Sequence, residues 1–110
     1  MILDMTQKLT DLDGKVLKEG DEDVILRKAC VNALMAVLPK DNDKTGDQKL
    51  AIFSLAKRIT DEDTPDLAVE DLALIKERVG TAFGPAIVGP VFPMLNGTPA
   101  TPKLVDKDKK

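Results

Sequence analysis

The stretch Val24-Ile-Leu-Arg-Lys-Ala-Cys-Val-Asn-Ala-Leu-Met-Ala-Val-Leu38 decides the fold. It runs almost wholly apolar until Pro39, and its polar residues are confined to Arg27, Lys28 and Asn32. A helix that can bury most of its circumference is expected at the centre of other helices. Asp21-Glu-Asp23 just before it offers carboxylates for the N-terminus, where the partial positive charge of a helix favours them.

Upstream of this helix, Lys8 to Glu19 alternates apolar and polar residues on both sides of Asp13-Gly14, a dipeptide that tolerates the positive backbone dihedrals of a tight turn. The pattern predicts a two-stranded hairpin over Lys8–Glu19. An isolated hairpin is marginal in water, so Leu9, Leu12, Val16 and Leu17 are expected to lean on the helices.

Downstream, Lys40 to Gly46 is a polar loop, and Thr45 or Asp47 can cap a second helix carrying Leu50, Ile52, Phe53, Leu55, Ala56 and Ile59. Its far side is Lys49, Ser54, Lys57 and Arg58. Thr60 to Asp66, with Pro65 inside it, is the next connector. A third helix is expected over about Ala68 to Val79, with Leu72, Ile75 and Val79 on one face and Gly80 ending it. Ala82 to Leu95 is apolar throughout yet holds three prolines. Pro85 suits a first helical turn, whereas Pro90 and Pro93 would each cost roughly 3 kcal/mol in a helix interior. A short or broken helix is expected there.

The fold class expected is therefore mainly α: an N-terminal β-hairpin followed by a bundle of three to four helices. Residues 1–95 form a single domain and residues 96–110, rich in proline and charge, a disordered C-terminal tail. The chain of 110 residues has the length of one ordinary domain. Its 43% apolar and 32% charged residues describe a globular protein with a well-solvated exterior. The aromatics are only Phe53, Phe83 and Phe92, so the core must be Leu, Ile, Val, Ala and Met, which suits helices better than a sandwich.

Composition also bears on function. The net charge is −3, and residues 1 to 23 hold seven acidic side chains against three lysines. The basic footprint of a nucleic-acid binder is missing from this balance, and without Trp or Tyr there are few stacking platforms for single strands. Lys57-Arg58 and Lys76-Glu-Arg78 are the basic clusters a DNA-reading helix would have to use. Both lie near helix C-termini, where cations also favour the dipole.

The absence of histidine removes the commonest general base and metal ligand, so an enzyme is not expected, nor is a cofactor or metal. Asp41-Asn-Asp-Lys-Thr-Gly46 matches the start of a calcium loop, but its twelfth position is Ile52 where a bidentate Glu is required. Cys30 is the single cysteine and sits in an apolar stretch, as a buried structural thiol does. No leader-like start and no membrane-spanning apolar run is seen, so a cytoplasmic protein without a membrane partner is expected.

Phe83 to Leu95 is the segment that simple folding explains least. It either closes the core or presents Phe83, Val91, Phe92, Met94 and Leu95 to a partner.

With Leu9-Thr-Asp-Leu-Asp-Gly-Lys15, Val31-Asn-Ala-Leu34, Asp71-Leu-Ala-Leu-Ile-Lys-Glu-Arg-Val-Gly80, Ala82-Phe-Gly-Pro85 and Val88-Gly89, the chain resembles a group of small phage and prophage proteins over roughly residues 8 to 95. It departs from their pattern at Ala68, where a hydroxyl residue is usual, and at Pro90 and Pro93, which fall in what is usually a helix. The resemblance implies a viral product made in a bacterial host and carries over no catalytic or binding residue.

The function expected is that of a non-enzymatic phage protein that binds another protein. It would act in virion or tail assembly, or by modulating a host factor, through its acidic hairpin and the Phe83–Leu95 segment. The alternative is a small dimeric DNA-binding transcriptional regulator. Homo-oligomerisation is left open.

Overall fold

A computed structural model describes residues 1–97, and in it α1 (Leu26–Met35) is the helix on which the others lean. Leu26, Ala29, Cys30, Ala33 and Leu34 are buried. α1 touches α2 (Gly46–Asp61), α3 (Val69–Ala82) and α4 (Pro85–Leu95), and α3 also touches α4. The chain is mainly helical with an N-terminal hairpin, as its patterning implies.

α1 is shorter than the apolar run that announces it. Val24 and Ile25 stay extended because they pair with the N-terminal segment: Leu9 N–H donates to Val24 O at 2.9 Å, and Lys8 bridges Ile25. Asp21–Asp23 therefore do not cap the helix; Ile25 is its N-cap, without a side-chain bond. At the other end Ala36 turns to extended backbone (ψ 146°), and Pro39–Asp43 forms a single 3-10 turn.

The hairpin also lies later than the alternation suggests. Its strands are β1 (Lys18–Glu19) and β2 (Glu22–Asp23), turning through Gly20 at φ +65°. Asp13-Gly14 does form a tight turn, with Gly14 at φ +83° and Thr10 bridging Val16, but no regular strands follow from it. Three backbone bonds close a ring instead: Leu9 donates to Val24, Val24 to Leu17, and Leu17 to Leu9, each at 2.9 Å. Of the four residues expected to lean on the helices, Leu9 is buried and Val16 and Leu17 are half-buried. Leu12 is wholly exposed.

The first five residues add a contact that period-2 patterning around the turn does not reveal. Leu3 and Met5 are buried, and their N–H groups donate to Pro65 O (3.1 Å) and Asp63 O (2.8 Å) in the α2–α3 connector.

Thr45 caps α2 with reciprocal bonds: Gln48 N–H donates to Thr45 Oγ1 at 3.1 Å, and Thr45 N–H to Gln48 Oε1 at 2.9 Å. Ala68 precedes α3 without a capping hydroxyl, and Asp71 compensates by accepting Ala68 N–H at 3.0 Å. Gly80 does not end α3. The helix continues to Ala82 because α4 covers its last turn, and a Cβ on Gly80 would meet Phe92 Cζ at 3.4 Å, an ordinary contact distance.

α4 is likewise unbroken, against the expectation from Pro90 and Pro93. Pro85 occupies its first turn. The carbonyls that Pro90 and Pro93 cannot engage belong to Ala86 and Gly89, four residues earlier, and both of these residues are exposed. Solvent can satisfy what the ladder loses, while Val91, Met94 and Leu95 bury the opposite face. Asn96 and Gly97, expected to open the tail, end this helix: Gly97, at φ +88°, donates its N–H to Met94 O at 3.0 Å. The rest of the expected tail, 98–110, lies outside the described residues.

Candidate interaction surface

The end of α1 is shaped by a buried cation. Arg78 of α3 is 2% exposed. Its Nε donates to Ala33 O at 3.0 Å and its Nη2 to Ala36 O at 2.8 Å, so it satisfies carbonyls that the end of α1 leaves without helical partners. Nη1 and Nη2 also reach Asp41 Oδ1 and Oδ2, at 2.8 and 3.1 Å, in a bidentate pair. Asp41 Oδ2 further accepts Leu38 N–H at 3.1 Å. The Arg78 guanidinium first, and the Leu38 amide second, hold the Asp41 carboxyl well below its ordinary range, at about 2.

Because Arg78 and Asp41 pin the chain on both sides of Ala36–Leu38, the intervening residues turn outward. Val37 is 94% exposed and Met35 50%. On α2, Phe53 is 51% and Leu50 60% exposed. Leu34, Met35, Val37, Ile52 and Phe53 enclose an open cavity of about 270 Å³, with Lys49 at its edge and Arg78 in its wall. A second cavity of about 260 Å³ lies between the hairpin and α4, lined by Leu17, Val24, Phe83 and Ile87. Lys28, at its edge, is paired with Glu19.

The residues expected to meet a partner are arranged differently. Val91, Met94 and Leu95 are at most 2% exposed and belong to the central apolar cluster. Phe92 is half-buried, with Lys76 Nζ 5.4 Å from its ring centre. Phe83 is half-buried beside the second cavity. The structure therefore leaves the Phe83–Leu95 segment little apolar surface to offer, and three of its five named residues serve the core.

Met35, Val37 and Phe53 stand exposed around the first cavity instead, and Leu50 is a further exposed apolar residue of α2. Helical spacing carries a signal for two of them. At about 100° per residue, Leu50 falls about 160° and Phe53 about 100° around α2 from Ile52, so neither shares the stripe of Ile52, Leu55, Ala56 and Ile59 that is buried. Nothing in the sequence marks Val37, because the turn that exposes it is held by Arg78, from another helix far along the chain.

The basic clusters are engaged within the molecule. Lys57 pairs with Asp61 at 3.1 Å, Arg58 donates to Asp66 O at 2.7 Å, and Lys76 donates to Asn96 Oδ1 at 2.9 Å. In the Asp41–Gly46 segment the carboxylate of Asp41 faces Arg78 and the hydroxyl of Thr45 caps α2. Among the described residues no cluster of three His, Cys, Asp or Glu side chains could hold a metal ion. Burial pushes the Cys30 thiol up to about 12, so it stays protonated and unreactive at neutral pH. Among the described residues no helix is long and apolar enough to cross a membrane. No family model, no curated protein and no solved structure matches the chain.

Proposed function

We propose that the chain is a non-enzymatic, phage-derived protein that acts in the host cytoplasm by binding another protein, in virion or tail assembly or by modulating a host factor. The observation that carries this reading is the Met35–Val37–Phe53 face. Three apolar side chains stand half or more exposed around an open cavity with an apolar floor, while the apolar residues of α4 are drawn inward. Contiguous exposed apolar surface rimmed by polar groups is what protein contact sites have in common. The absence of histidine and the engagement of Asp41 by Arg78 favour binding over catalysis.

The test is a tagged pull-down from infected or prophage-carrying cells, with and without nuclease, using the native chain and Phe53→Ser side by side. The expected result is a stoichiometric protein that survives nuclease and is lost with Phe53→Ser, while the circular dichroism of the two proteins is the same. Recovery that vanishes with nuclease overturns the reading in favour of a DNA-binding regulator.

A further inference from the structure

We infer that the groove between the end of α1 and α2 is filled by Leu12 of a second copy of this chain, in a reciprocal pair. The inference rests on the protein-binding reading of the groove and names its occupant. An occupant must bring an apolar side chain to a floor of Leu34, Ile52 and Phe53. It must also bring negative charge. Arg78 in the wall is matched by Asp41, but Lys49 at the edge has no ion-pair partner among the described residues. Lys44, 3.9 Å from Asp41, adds further positive charge beside the groove.

The chain itself carries the complementary element. Leu12 is wholly exposed at the tip of a turn, between Asp11 and Asp13. An apolar knob between two carboxylates is the chemistry the groove lacks. The turn is rigid before any partner arrives: Asp13 N–H and Lys15 N–H donate to Asp11 Oδ1 at 2.8 and 3.0 Å, and Asp11 N–H donates to Lys15 O at 2.8 Å. A knob already held in shape loses little conformational freedom on docking. Asp13 has no ion-pair partner among the described residues and is free to meet Lys49.

The two elements cannot meet within one molecule. The turn lies ahead of the first turn of α1 and the groove opens beyond its last, so a ten-residue helix separates them, a distance of about 15 Å. In the proposed pair, two copies lie side by side and antiparallel, so that each knob enters the other's groove. That arrangement is closed and two-fold, with the same contact made twice. Even made twice, one side chain in one groove covers less than the roughly 1,000 Å² of a stable specific interface, so the pair is expected to be weak and reversible.

Sedimentation velocity of the full chain, over a concentration series into the low millimolar range and at low and high salt, tests the inference. A reversible dimer that weakens with salt is expected, because exposed charges are screened. Leu12→Ser and Phe53→Ser should each be monomeric with unchanged circular dichroism. Mixing them leaves one of the two knob–groove contacts intact, so the mixed pair should associate more weakly than the native chain but measurably more than either variant alone. Lys49→Glu should weaken association about tenfold, a difference of about 1.4 kcal/mol, and adding Asp13→Lys to it should recover the loss. A native chain that stays monomeric throughout, or a dimer that survives Leu12→Ser, overturns the inference. If the chain is monomeric while Phe53→Ser still abolishes capture of another protein, the second copy is wrong and the protein-binding reading stands. If Phe53→Ser leaves that capture intact, the protein-binding reading of the groove falls independently.

Discussion

α4 and the N-terminal half of α2 invert what their sequences suggest. α4 is apolar from Pro85 to Leu95 and punctuated by proline, the composition of a segment with surface to spare, yet Val91, Met94 and Leu95 are buried. α2 reads as an ordinary amphipathic helix, yet it leaves Leu50 and Phe53 exposed, Phe53 beside the cavity that Met35 and Val37 also line. The difference teaches that apolar density does not locate a surface. What decides it is which turns another element covers. α4 lies against α3 and α1, whereas the first turns of α2 look across at a chain that Arg78 has fixed in an outward bend.

The strongest way to break this comparison is to remove the cation that creates the bend. Arg78→Ala should lower stability by about 3–5 kcal/mol, because it takes the guanidinium from the carboxylate of Asp41 and leaves two helix-end carbonyls without partners. The shift of the urea midpoint reads this directly. Next in size, Leu95→Ala should cost about 2–5 kcal/mol if α4 is core as the structure has it; a change near zero would return the segment to the surface.

Acid titration sharpens the same contrast. Asp41 titrates lower in the folded chain than in the unfolded one, so the stabilisation it contributes is fully present above its ordinary value. It fades as pH falls toward about 2. Asp41→Asn should therefore be less stable than the native chain at neutral pH and converge with it at the acid end. Asp4, Asp23 and Glu77, lowered chiefly by Thr6, Lys18 and Lys40 respectively, are present in both proteins and cancel in the difference. Smallest of all, Val37→Ser and Phe53→Ser should each shift stability by no more than about 0.5 kcal/mol, as exposed positions do. A drop of several kcal/mol at Phe53 would mean that the groove is a defect of packing and not a face.

The parts of the fold legible in sequence are those written in local periods. Ile52, Leu55, Ala56 and Ile59 mark the buried stripe of α2, and Thr45 with Gln48 marks its start. The parts that were not legible depend on partners far along the chain. Val24 and Ile25 belong to a continuous apolar run, but pairing with Lys8 and Leu9 pulls them out of the helix. Gly80 has the position of a terminator, but α4 returns to cover it. Pro90 and Pro93 have the chemistry of breakers, but the residues whose carbonyls they free, Ala86 and Gly89, are exposed. Of the exposed apolar face, little was legible, because no local window shows that the chain turns outward after α1, whereas the Phe83–Leu95 segment that stood out in sequence buries Val91, Met94 and Leu95.

The pairing of the first residues with the α2–α3 connector sets an order on how the chain comes together. Met1 bonds Asp66, sixty-five positions away, and Leu3 and Met5 bond Pro65 and Asp63. Closing so wide a loop is entropically expensive and slow compared with winding any one helix. During synthesis, residues 1–5 have nothing to pair with until α1 and α2 have both left the ribosome. Leu3 and Met5 wait in the open for that interval, which makes this segment one that a chaperone or a protease can engage before the fold closes.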